Sequence, residues 1–289
     1  MACFIFMVMV KSIILFFLAA TFLSCQKEAA TEIQSPAQSF LNVSYGGDPS
    51  QKMDIYLPEG HTDTTKILIM IHGGAWTGGD KSEMTPYIPE FQQRFPGYAI
   101  VNTNYRLASA FNNYFPTQEN DMKAVVDFLI TNKTEYGISQ KFVLRGASAG
   151  AHMALLQAYK YNSPSIKAVV DFFGPADMAD LYNNITDPTI KMSFQILMGG
   201  TPAGNPSMYQ QSSPLNFVSA QSPPTIILHG ADDYLVPVSQ SVSLKNNLDA
   251  LGVPNKLIVF PGMGHEAWPA ATMDHAFNQI EDFIKANME

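Results

Sequence analysis

The chain of 289 residues has the length of one large α/β domain. Hydrophobic residues make up 46% of it and charged residues 15%, which is enough apolar material to bury a substantial core. The formal net charge is -8 and lysines and arginines are not clustered, so nucleic acid and anionic lipid surfaces are disfavoured as partners.

The N-terminal segment has the features of an export signal that ends in a lipidation site. Lys11 precedes an apolar segment over residues 13–20, and residues 22–25 read Phe-Leu-Ser-Cys, which resembles a bacterial lipobox. We therefore expect residues 1–24 to be a lipoprotein signal peptide and Cys25 to carry the lipid. The protein would then be exported and anchored to a bacterial membrane, at its periplasmic face or at the cell surface. A cleaved signal peptide with an incidental cysteine is the alternative.

The positions of the two cysteines support the interpretation of the N-terminal segment as an export signal. Cys3 and Cys25 both fall in the leader or at its end, so the folded domain is expected to hold no disulfide and no thiolate metal site. Residues 25–40 are polar and are predicted to be a flexible tether, followed by a catalytic domain over residues 41–289. Met9 is an alternative translation start.

Apolar strands alternate with amphipathic helices after the tether. Near-continuous Val, Ile and Leu content predicts strands that are covered on both faces, as in a parallel sheet. This alternation is typical of a doubly wound α/β fold, a mostly parallel twisted sheet with helices on both faces. Strands are predicted at 53–57, 67–71, 99–103, 142–144, 168–172, 225–228 and 256–260, and helices at 83–94, 118–131, 149–161, 239–251 and 273–287.

A glycine-containing loop follows the second predicted strand, where residues 72–76 read His-Gly-Gly-Ala-Trp. Glycines allow a loop to turn its backbone N–H groups into a cavity, where they can stabilise the negative charge that develops on a carbonyl oxygen. Gly73 and Gly74 are the candidates for such an oxyanion hole, with Gly74 favoured. His72 is expected to support the loop, and Trp76 either to line an acyl pocket or to cap the core.

Residues 146–150 read Gly-Ala-Ser-Ala-Gly between a predicted strand and a predicted helix, which is the context of a nucleophile elbow. So sharp a turn places the hydroxyl of Ser148 clear of the sheet edge. The backbone N–H of Ala149 is then a further candidate donor to the oxyanion. A Gly/Ser-rich surface turn is the alternative, but the glycine loop upstream favours a serine hydrolase.

Residues 175–223 contain no clear strand but many apolar side chains. The segment is too long and too apolar for a plain loop, so we predict a small helical cap over the active site. Ordinary surface helices packed to one side are the alternative.

A serine nucleophile requires a histidine base that an acid orients, and in this fold class the acid and then the histidine follow the serine. His265 is the preferred base because it lies in a glycine-rich loop directly after the last predicted strand, where active-site groups gather. The other histidines downstream of Ser148 fall on predicted helices or in a tight turn. Asp232 and Asp233 both follow the preceding strand. Asp233 is the preferred acid, because the turn after Gly230 gives the later residue the better reach, and Asp232 is the alternative.

Further motifs fit the same pattern: Gly-Asp-Lys at 79–81, Asn-Tyr-Arg-Leu at 104–107, Ser-Pro-Leu at 213–215, His-Gly-x-x-Asp-x-x-Val-Pro at 229–237 and Gly-His at 264–265. Together with the glycine loop and the elbow, they resemble the α/β-hydrolase superfamily. The similarity is to the carboxylesterase/acetylesterase branch, close to hormone-sensitive-lipase-like and bacterial feruloyl or acetyl esterase domains. It covers about Val43 to the C-terminus.

This resemblance implies an α/β-hydrolase fold with Ser148 as nucleophile, Asp233 as acid and His265 as base. Ala75 stands where the family often has a third glycine, which makes esters of tertiary alcohols poor candidate substrates. The mechanism needs no metal or organic cofactor.

The expected activity is hydrolysis of a carboxylic ester through an acyl-enzyme, on short-chain or glycan-linked esters, with acetylated or feruloylated glycans favoured. Amide hydrolysis like that of arylformamidases is the alternative among enzymes, and a non-catalytic hydrolase-fold binding protein is the alternative outside them. The expected partners are the ester substrate and, through the lipid anchor only, the membrane. The sequence leaves the oligomeric state and the acyl-chain length open.

Overall fold

Strands and helices alternate in the computed structural model, which describes residues 35–265 and 268–288. The eight strands of the sheet are β1 Gln38–Ser44, β2 Lys52–Leu57, β3 Lys66–Ile71, β4 Tyr98–Thr103, β5 Phe142–Ala147, β6 Ile166–Phe172, β7 Thr225–Gly230 and β8 Asn255–Phe260. They pair in the order β1-β2-β4-β3-β5-β6-β7-β8. β1 and β2 pair antiparallel with each other, β2 pairs antiparallel with β4, and the remaining pairs are parallel. The expected mostly parallel sheet is confirmed.

Helices cover both faces of this sheet, as the sequence predicted. The α-helices are α1 Ile88–Arg94, α2 Thr117–Thr131, α3 Lys133–Tyr136, α4 Ala149–Tyr159, α5 Met178–Asn184, α6 Pro188–Met198, α7 Pro206–Ser212, α8 Ser239–Ala250 and α9 Ala270–Met288; short 3-10 helices span Lys81–Tyr87 and Pro214–Phe217. The core therefore divides into two clusters, one on each face. The first cluster also contains buried residues from 175–223, and we call it the cap-side cluster. It includes residues of α2, α4, α6 and α8, and the second cluster includes residues of α1 and α9.

The central strand β3 shows why its sequence is apolar at every position. Ile67 and Ile69 belong to the cap-side cluster, whereas Leu68 and Met70 belong to the second cluster. Side chains of a strand alternate between the two faces of the sheet, so a strand covered on both faces needs apolar residues throughout.

The predicted helix over residues 83–94 is divided in the structure. A 3-10 helix, Lys81–Tyr87, contains Pro86 and precedes α1. Proline has no N–H to donate to the preceding turn and clashes with it, so one continuous α-helix cannot form here. The side chain of Asp80 accepts a hydrogen bond from the N–H of Ser82 and begins the 3-10 helix earlier than predicted.

The boundary between the predicted tether and the domain moves towards the N-terminus. Residues 38–40 were expected in the tether, but they belong to β1, where Gln38, Ser39 and Phe40 pair with residues of β2. The strand has no apolar pattern, since most of its side chains are exposed at the edge of the sheet. The predicted signal peptide over residues 1–24 and the predicted lipidation site at Cys25 lie outside the described residues.

Residues 175–223 form helices and connecting loops without a strand in the structure. Asp177 and Asp187 each accept hydrogen bonds from two backbone N–H groups at the start of α5 and α6, which fixes where these helices begin. Phe194 and Met198 are buried in the cap-side cluster, whereas the side chain of Met192 is 56% exposed. We call residues 175–223 the cap segment.

No helix within residues 35–265 and 268–288 combines the length and the apolar character that crossing a membrane requires.

Candidate active site

Ser148 lies in a strained turn between β5 and α4, with φ 54° and ψ -120°. The glycines on either side make the turn possible. A Cβ at Gly146 would lie 2.3 Å from the backbone nitrogen of Ala151, and a Cβ at Gly150 would lie 2.3 Å from the carbonyl oxygen of Ile71. No larger residue fits at either position, so the local sequence fixes where the serine hydroxyl stands.

Ser148, Asp233 and His265 come together in one chain of hydrogen bonds. The Nε2 atom of His265 lies 2.8 Å from the Oγ atom of Ser148, and the Nδ1 atom lies 2.7 Å from the Oδ2 atom of Asp233. An ionised carboxylate can only accept, so Nδ1 carries the proton and Nε2 is free to accept the proton of the hydroxyl. Asp232, the alternative acid, is exposed and forms no hydrogen bond with His265 among the described residues.

The buried His229 holds the loop that carries Asp233. Its Nδ1 atom lies 2.6 Å from the Oγ atom of Ser241, and its Nε2 atom lies 2.8 Å from the carbonyl oxygen of Val236 and 3.3 Å from the Oδ2 atom of Asp233. A carbonyl accepts only, so Nε2 donates and Nδ1 accepts the hydroxyl proton of Ser241. The sequence places this histidine in a tight turn, but it does not show the contact with the acid.

Asp233 stays ionised in this environment. Burial alone would raise its pKa, but hydrogen bonds from His229 and His265 outweigh burial and hold the pKa of the carboxyl well below its usual range. The other carboxylate oxygen accepts hydrogen bonds from the backbone N–H groups of Leu235 and Val236, at 2.9 and 2.8 Å. The acid is therefore charged and fixed on both oxygens.

Two aromatic residues that the sequence did not single out position the loop of His265. The indole N–H of Trp268 donates to the carbonyl of Gly264 at 3.0 Å, and the ring of Phe173 lies 4.6 Å from the imidazole ring. Trp268 follows the histidine by three residues, which is the only signal that the sequence carries for this role.

The glycine loop and the start of α4 present free backbone N–H groups beside the serine. Gly74 has φ 104°, and a Cβ there would lie 2.1 Å from the carbonyl oxygen of Gly78, so only glycine fits. A Cβ at Gly73 would lie 3.5 Å from the Cβ of Ser148, which places this backbone next to the hydroxyl. Within the described part of the chain, no acceptor meets the N–H of Gly73, Gly74 or Ala149.

His72 supports this loop, as the sequence predicted. Its Nδ1 atom lies 2.8 Å from the carbonyl oxygen of Gly73, and its ring stacks on that of Tyr105 at 4.3 Å. The hydroxyl of Tyr105 donates to the same carbonyl at 2.9 Å. Burial lowers the pKa of His72, and the hydrogen bond to Gly73 offsets only part of this, so the ring is neutral near pH 7.

Trp76 belongs to the core and also lines the cavity. It is 3% exposed in the cap-side cluster, packs edge-on against Phe194 and lines the cavity beside the serine. Its indole N–H donates to the Nδ1 atom of His152 at 3.1 Å, and the Nε2 atom of that histidine lies 2.7 Å from the carbonyl oxygen of Ser212. Burial lowers the pKa of His152 to about 4, so this histidine is a neutral link between the glycine loop and the cap segment.

A cavity of about 500 Å³ opens onto Ser148 and His265. The cap segment supplies an apolar part of its wall: Leu181, Ile185, Ile190 and Phe194. Residues associated with the second core cluster supply another part: Met84, Tyr87, Phe172, Trp268 and Met273. Arg145, on β5, lies in the cavity wall too. Sequence reasoning did not select this arginine, although a charge in the otherwise apolar start of β5 is a visible signal.

Comparisons with known proteins identify the family of the chain. Residues 53–248 match the model of the BD-FAE family. The probable carboxylic ester hydrolase LipM of Mycobacterium tuberculosis is 30% identical over 62% of this chain and 44% of its own length. Esterase LipC of the same organism is 26% identical over 77% of this chain and 58% of its own length. The chain thus spans about half the length of these curated relatives.

Solved structures show the same fold. A truncated form of a carbohydrate esterase from gut microbiota is 28% identical, with a TM-score of 0.74, over 89% of this chain and 98% of that one. A bifunctional GH43-CE protein of Bacteroides eggerthii is 27% identical, with a TM-score of 0.76, over 87% of this chain and 38% of that one. With the family match over residues 53–248, these similarities establish that the chain belongs to the BD-FAE family of α/β-hydrolases, in the carboxylesterase/acetylesterase group.

Proposed function

We propose that this protein is a serine carboxylic-ester hydrolase that acts through an acyl-enzyme on short-chain or glycan-linked acetyl or feruloyl esters. The observation that supports this most is the hydrogen-bond chain from Ser148 through His265 to Asp233, with distances of 2.8 and 2.7 Å. The similarity to esterases and to a carbohydrate esterase supports the ester bond as the target.

In the first half of the proposed reaction, the Oγ atom of Ser148 attacks the carbonyl carbon of the ester while its proton passes to Nε2 of His265. Asp233 stabilises the imidazolium that forms. The carbonyl oxygen becomes negative and accepts hydrogen bonds from the free N–H groups of the glycine loop and of Ala149. When the C–O bond breaks, the alcohol leaves with the proton from the imidazolium, and the acyl group remains on the serine.

In the second half, water gives a proton to His265 and attacks the acyl carbon. The same N–H groups stabilise the oxyanion again. The bond to Ser148 then breaks, the serine recovers its proton from the imidazolium, and the carboxylic acid is released. His265 accepts or donates the proton in every transfer of this reaction.

Hydrolysis of p-nitrophenyl acetate, butyrate and octanoate and of methyl ferulate is the measurement that tests this function. Replacing the nucleophile in Ser148→Ala should lower kcat by at least about 10³-fold on every ester that the wild type hydrolyses. Ser243→Ala changes an exposed serine on α8 and should retain wild-type activity. Likewise Asp233→Asn should lose activity, whereas Asp232→Asn should keep it. An ester activity that persists in Ser148→Ala would refute the mechanism.

The cellular location is a separate proposal. We infer that the protein is exported and lipidated at Cys25, because residues 22–25 resemble a lipobox after an apolar segment. In a bacterial host fed with labelled palmitate, the wild type should carry the label and sediment with membranes, and Cys25→Ser should carry none. Wild-type protein without label would contradict the anchor and leave the hydrolase proposal standing.

A further inference from the structure

Arg145 is a buried cation in the wall of the active-site cavity. Its side chain lies on β5, three residues before the serine, and the residue is 2% exposed. Among the ion pairs of the described residues, none involves this guanidinium. Glu83 lines the same cavity, but it is exposed and forms no ion pair with the arginine.

The groups that do touch Arg145 carry no negative charge. Its Nη1 atom donates to the sulfur of Met84 at 2.7 Å, and its guanidinium carbon lies 4.6 Å from the centre of the Phe172 ring and 5.5 Å from that of Tyr87. A thioether is a weak hydrogen-bond acceptor, and the two aromatic rings interact with the guanidinium only through their π faces. The Nε atom is buried without a partner, and Nη2 forms no hydrogen bond with a described residue.

This environment favours an anion in the cavity. Burial lowers the pKa of Arg145 to about 10, so the guanidinium remains charged near pH 7. A buried charge is unfavourable unless a partner of opposite charge and hydrogen bonds compensate it. A carboxylate fits the planar fork of donors through two parallel hydrogen bonds. Because the described residues provide no such partner, a substrate is the source that we infer.

We propose that the natural ester carries a carboxylate, and that Arg145 binds this carboxylate when the scissile carbonyl lies at Ser148. The inference rests on the proposed esterase function and narrows its substrate class. Both residues line the same cavity of about 500 Å³. A carboxylate a few bonds away from the ester therefore suits the site. It can belong to the acid side, as in a half-ester of a dicarboxylic acid, or to the alcohol side, as in an acetylated uronic acid.

The experiment compares pairs of esters that differ only in the carboxylate. For the acid side, p-nitrophenyl hemisuccinate, hemiglutarate and hemiadipate are paired with the butyrate, valerate and hexanoate. For the alcohol side, release of acetate from acetylated galacturonic acid is paired with release from acetylated galactose. The readout is the ratio of kcat/KM within each pair, so any effect common to both esters cancels.

Arg145→Met removes the charge and keeps an unbranched side chain among Met84, Phe172 and Tyr87. We expect the ratio for at least one pair to fall by about 10–100-fold, which corresponds to the loss of a charged hydrogen bond. The pair that responds identifies the side of the ester that carries the carboxylate. Arg94→Met is the matched control, since this arginine pairs with Glu90 and with two acidic residues of α9, and its ratios should equal those of the wild type.

The inference is wrong if Arg145→Met leaves every ratio unchanged, or if it weakens only the hydrolysis of neutral methyl ferulate. Failure of the esterase proposal looks different, because no ester is then hydrolysed faster by the wild type than by Ser148→Ala.

Inhibition of the wild type gives a second test that does not depend on the folding of a variant. At constant ionic strength, glutarate or galacturonate should inhibit hydrolysis of p-nitrophenyl acetate at concentrations at least about 10-fold lower than glutaramide or galactose. Equal inhibition within both pairs would exclude a carboxylate site.

Discussion

His152 is a buried histidine that takes no part in the proposed reaction. Its pKa is lowered to about 4 by burial, and a hydrogen bond to the carbonyl of Ser212 offsets part of this. In the unfolded chain a histidine has a pKa of about 6.5. As the pH falls from 6.5 to 4, the unfolded chain therefore binds a proton that the folded protein does not, and the protein loses stability. Above pH 6.5 the neutral ring has its full stabilising effect.

We predict that His152→Gln removes this acid sensitivity. Between about pH 6 and pH 4.5, the unfolded variant should bind close to one proton fewer than the unfolded wild type. The slope of the free energy of unfolding against pH should therefore decrease by up to about 1.4 kcal/mol per pH unit. Urea unfolding at several pH values measures the slope. Asp171, whose pKa burial raises to about 7, contributes in the opposite direction but equally in both proteins. The exposed His275 provides the control variant His275→Gln, and equal slopes for all three proteins would refute the assignment.

The candidate catalytic residues could be found from the sequence because each stands in a motif with a fixed order. Ser148 has a glycine on either side, and Asp233 and His265 follow the ends of two strands. The roles of His229 and Arg145 could not be found in this way. They depend on distances between parts of the chain that are remote in sequence, such as 2.7 Å from Arg145 to Met84, and a pattern of residue types does not contain these distances.

At the scale of elements, the first turn of helix α4 packs directly against the backbone at the end of β3. Gly150, in the first turn of the helix, faces the backbone of Ile71 and His72, and a Cβ there would lie 2.3 and 2.5 Å from their carbonyl oxygens. Both atoms belong to backbone, so neither can rotate away. The glycine therefore determines how far the helix sits from the sheet, and with it the distance between the serine and the glycine loop.

We predict that Gly150→Ala destabilises the protein by about 1–3 kcal/mol, measured by urea unfolding. Helix propensity alone predicts that the variant is more stable than the wild type, because alanine is favoured over glycine inside a helix by about 1 kcal/mol. Gly97→Ala is the control, since a Cβ at Gly97 meets nothing within 4 Å. A stabilised Gly150→Ala variant would show that α4 can move away from the sheet without cost.

The elements that the sequence predicted best are those with a strong apolar pattern, such as β3 and α2. Two features had no such pattern. β1 is an exposed edge strand whose place depends on pairing with β2, and the break at Pro86 depends on the competition between an α-helix and a 3-10 helix. Both outcomes follow from contacts with the rest of the fold, which local composition does not report.

At the scale of the whole molecule, β1 covers one edge of the sheet. Its backbone pairs with β2, the N–H of Asn42 donates to Asp54, and the ring of Phe40 packs edge-on against that of Tyr136 at 5.2 Å. Without β1, the outer edge of β2 would present unpaired N–H and C=O groups, which can pair with other chains.

We predict that a chain beginning at residue 35 keeps the Tm of the full-length protein, whereas a chain beginning at residue 45 melts several degrees lower and aggregates on heating. For a domain of this size, each 1 kcal/mol of lost stability lowers Tm by about 2–4 °C. Calorimetry and light scattering measure the two effects. Equal Tm values for both chains would show that the domain begins after β1, as the tether predicted over residues 25–40 implied.

The order in which the chain supplies its active-site groups has a consequence for biosynthesis. Ser148 follows β5, but Asp233 follows β7 and His265 follows β8. A nascent polypeptide that has emerged from the ribosome only as far as residue 250 holds its nucleophile without its base. On the proposed mechanism, hydrolysis begins only after translation is essentially complete and the last strand has paired. The time at which ester cleavage begins therefore reports when the final folding step occurs.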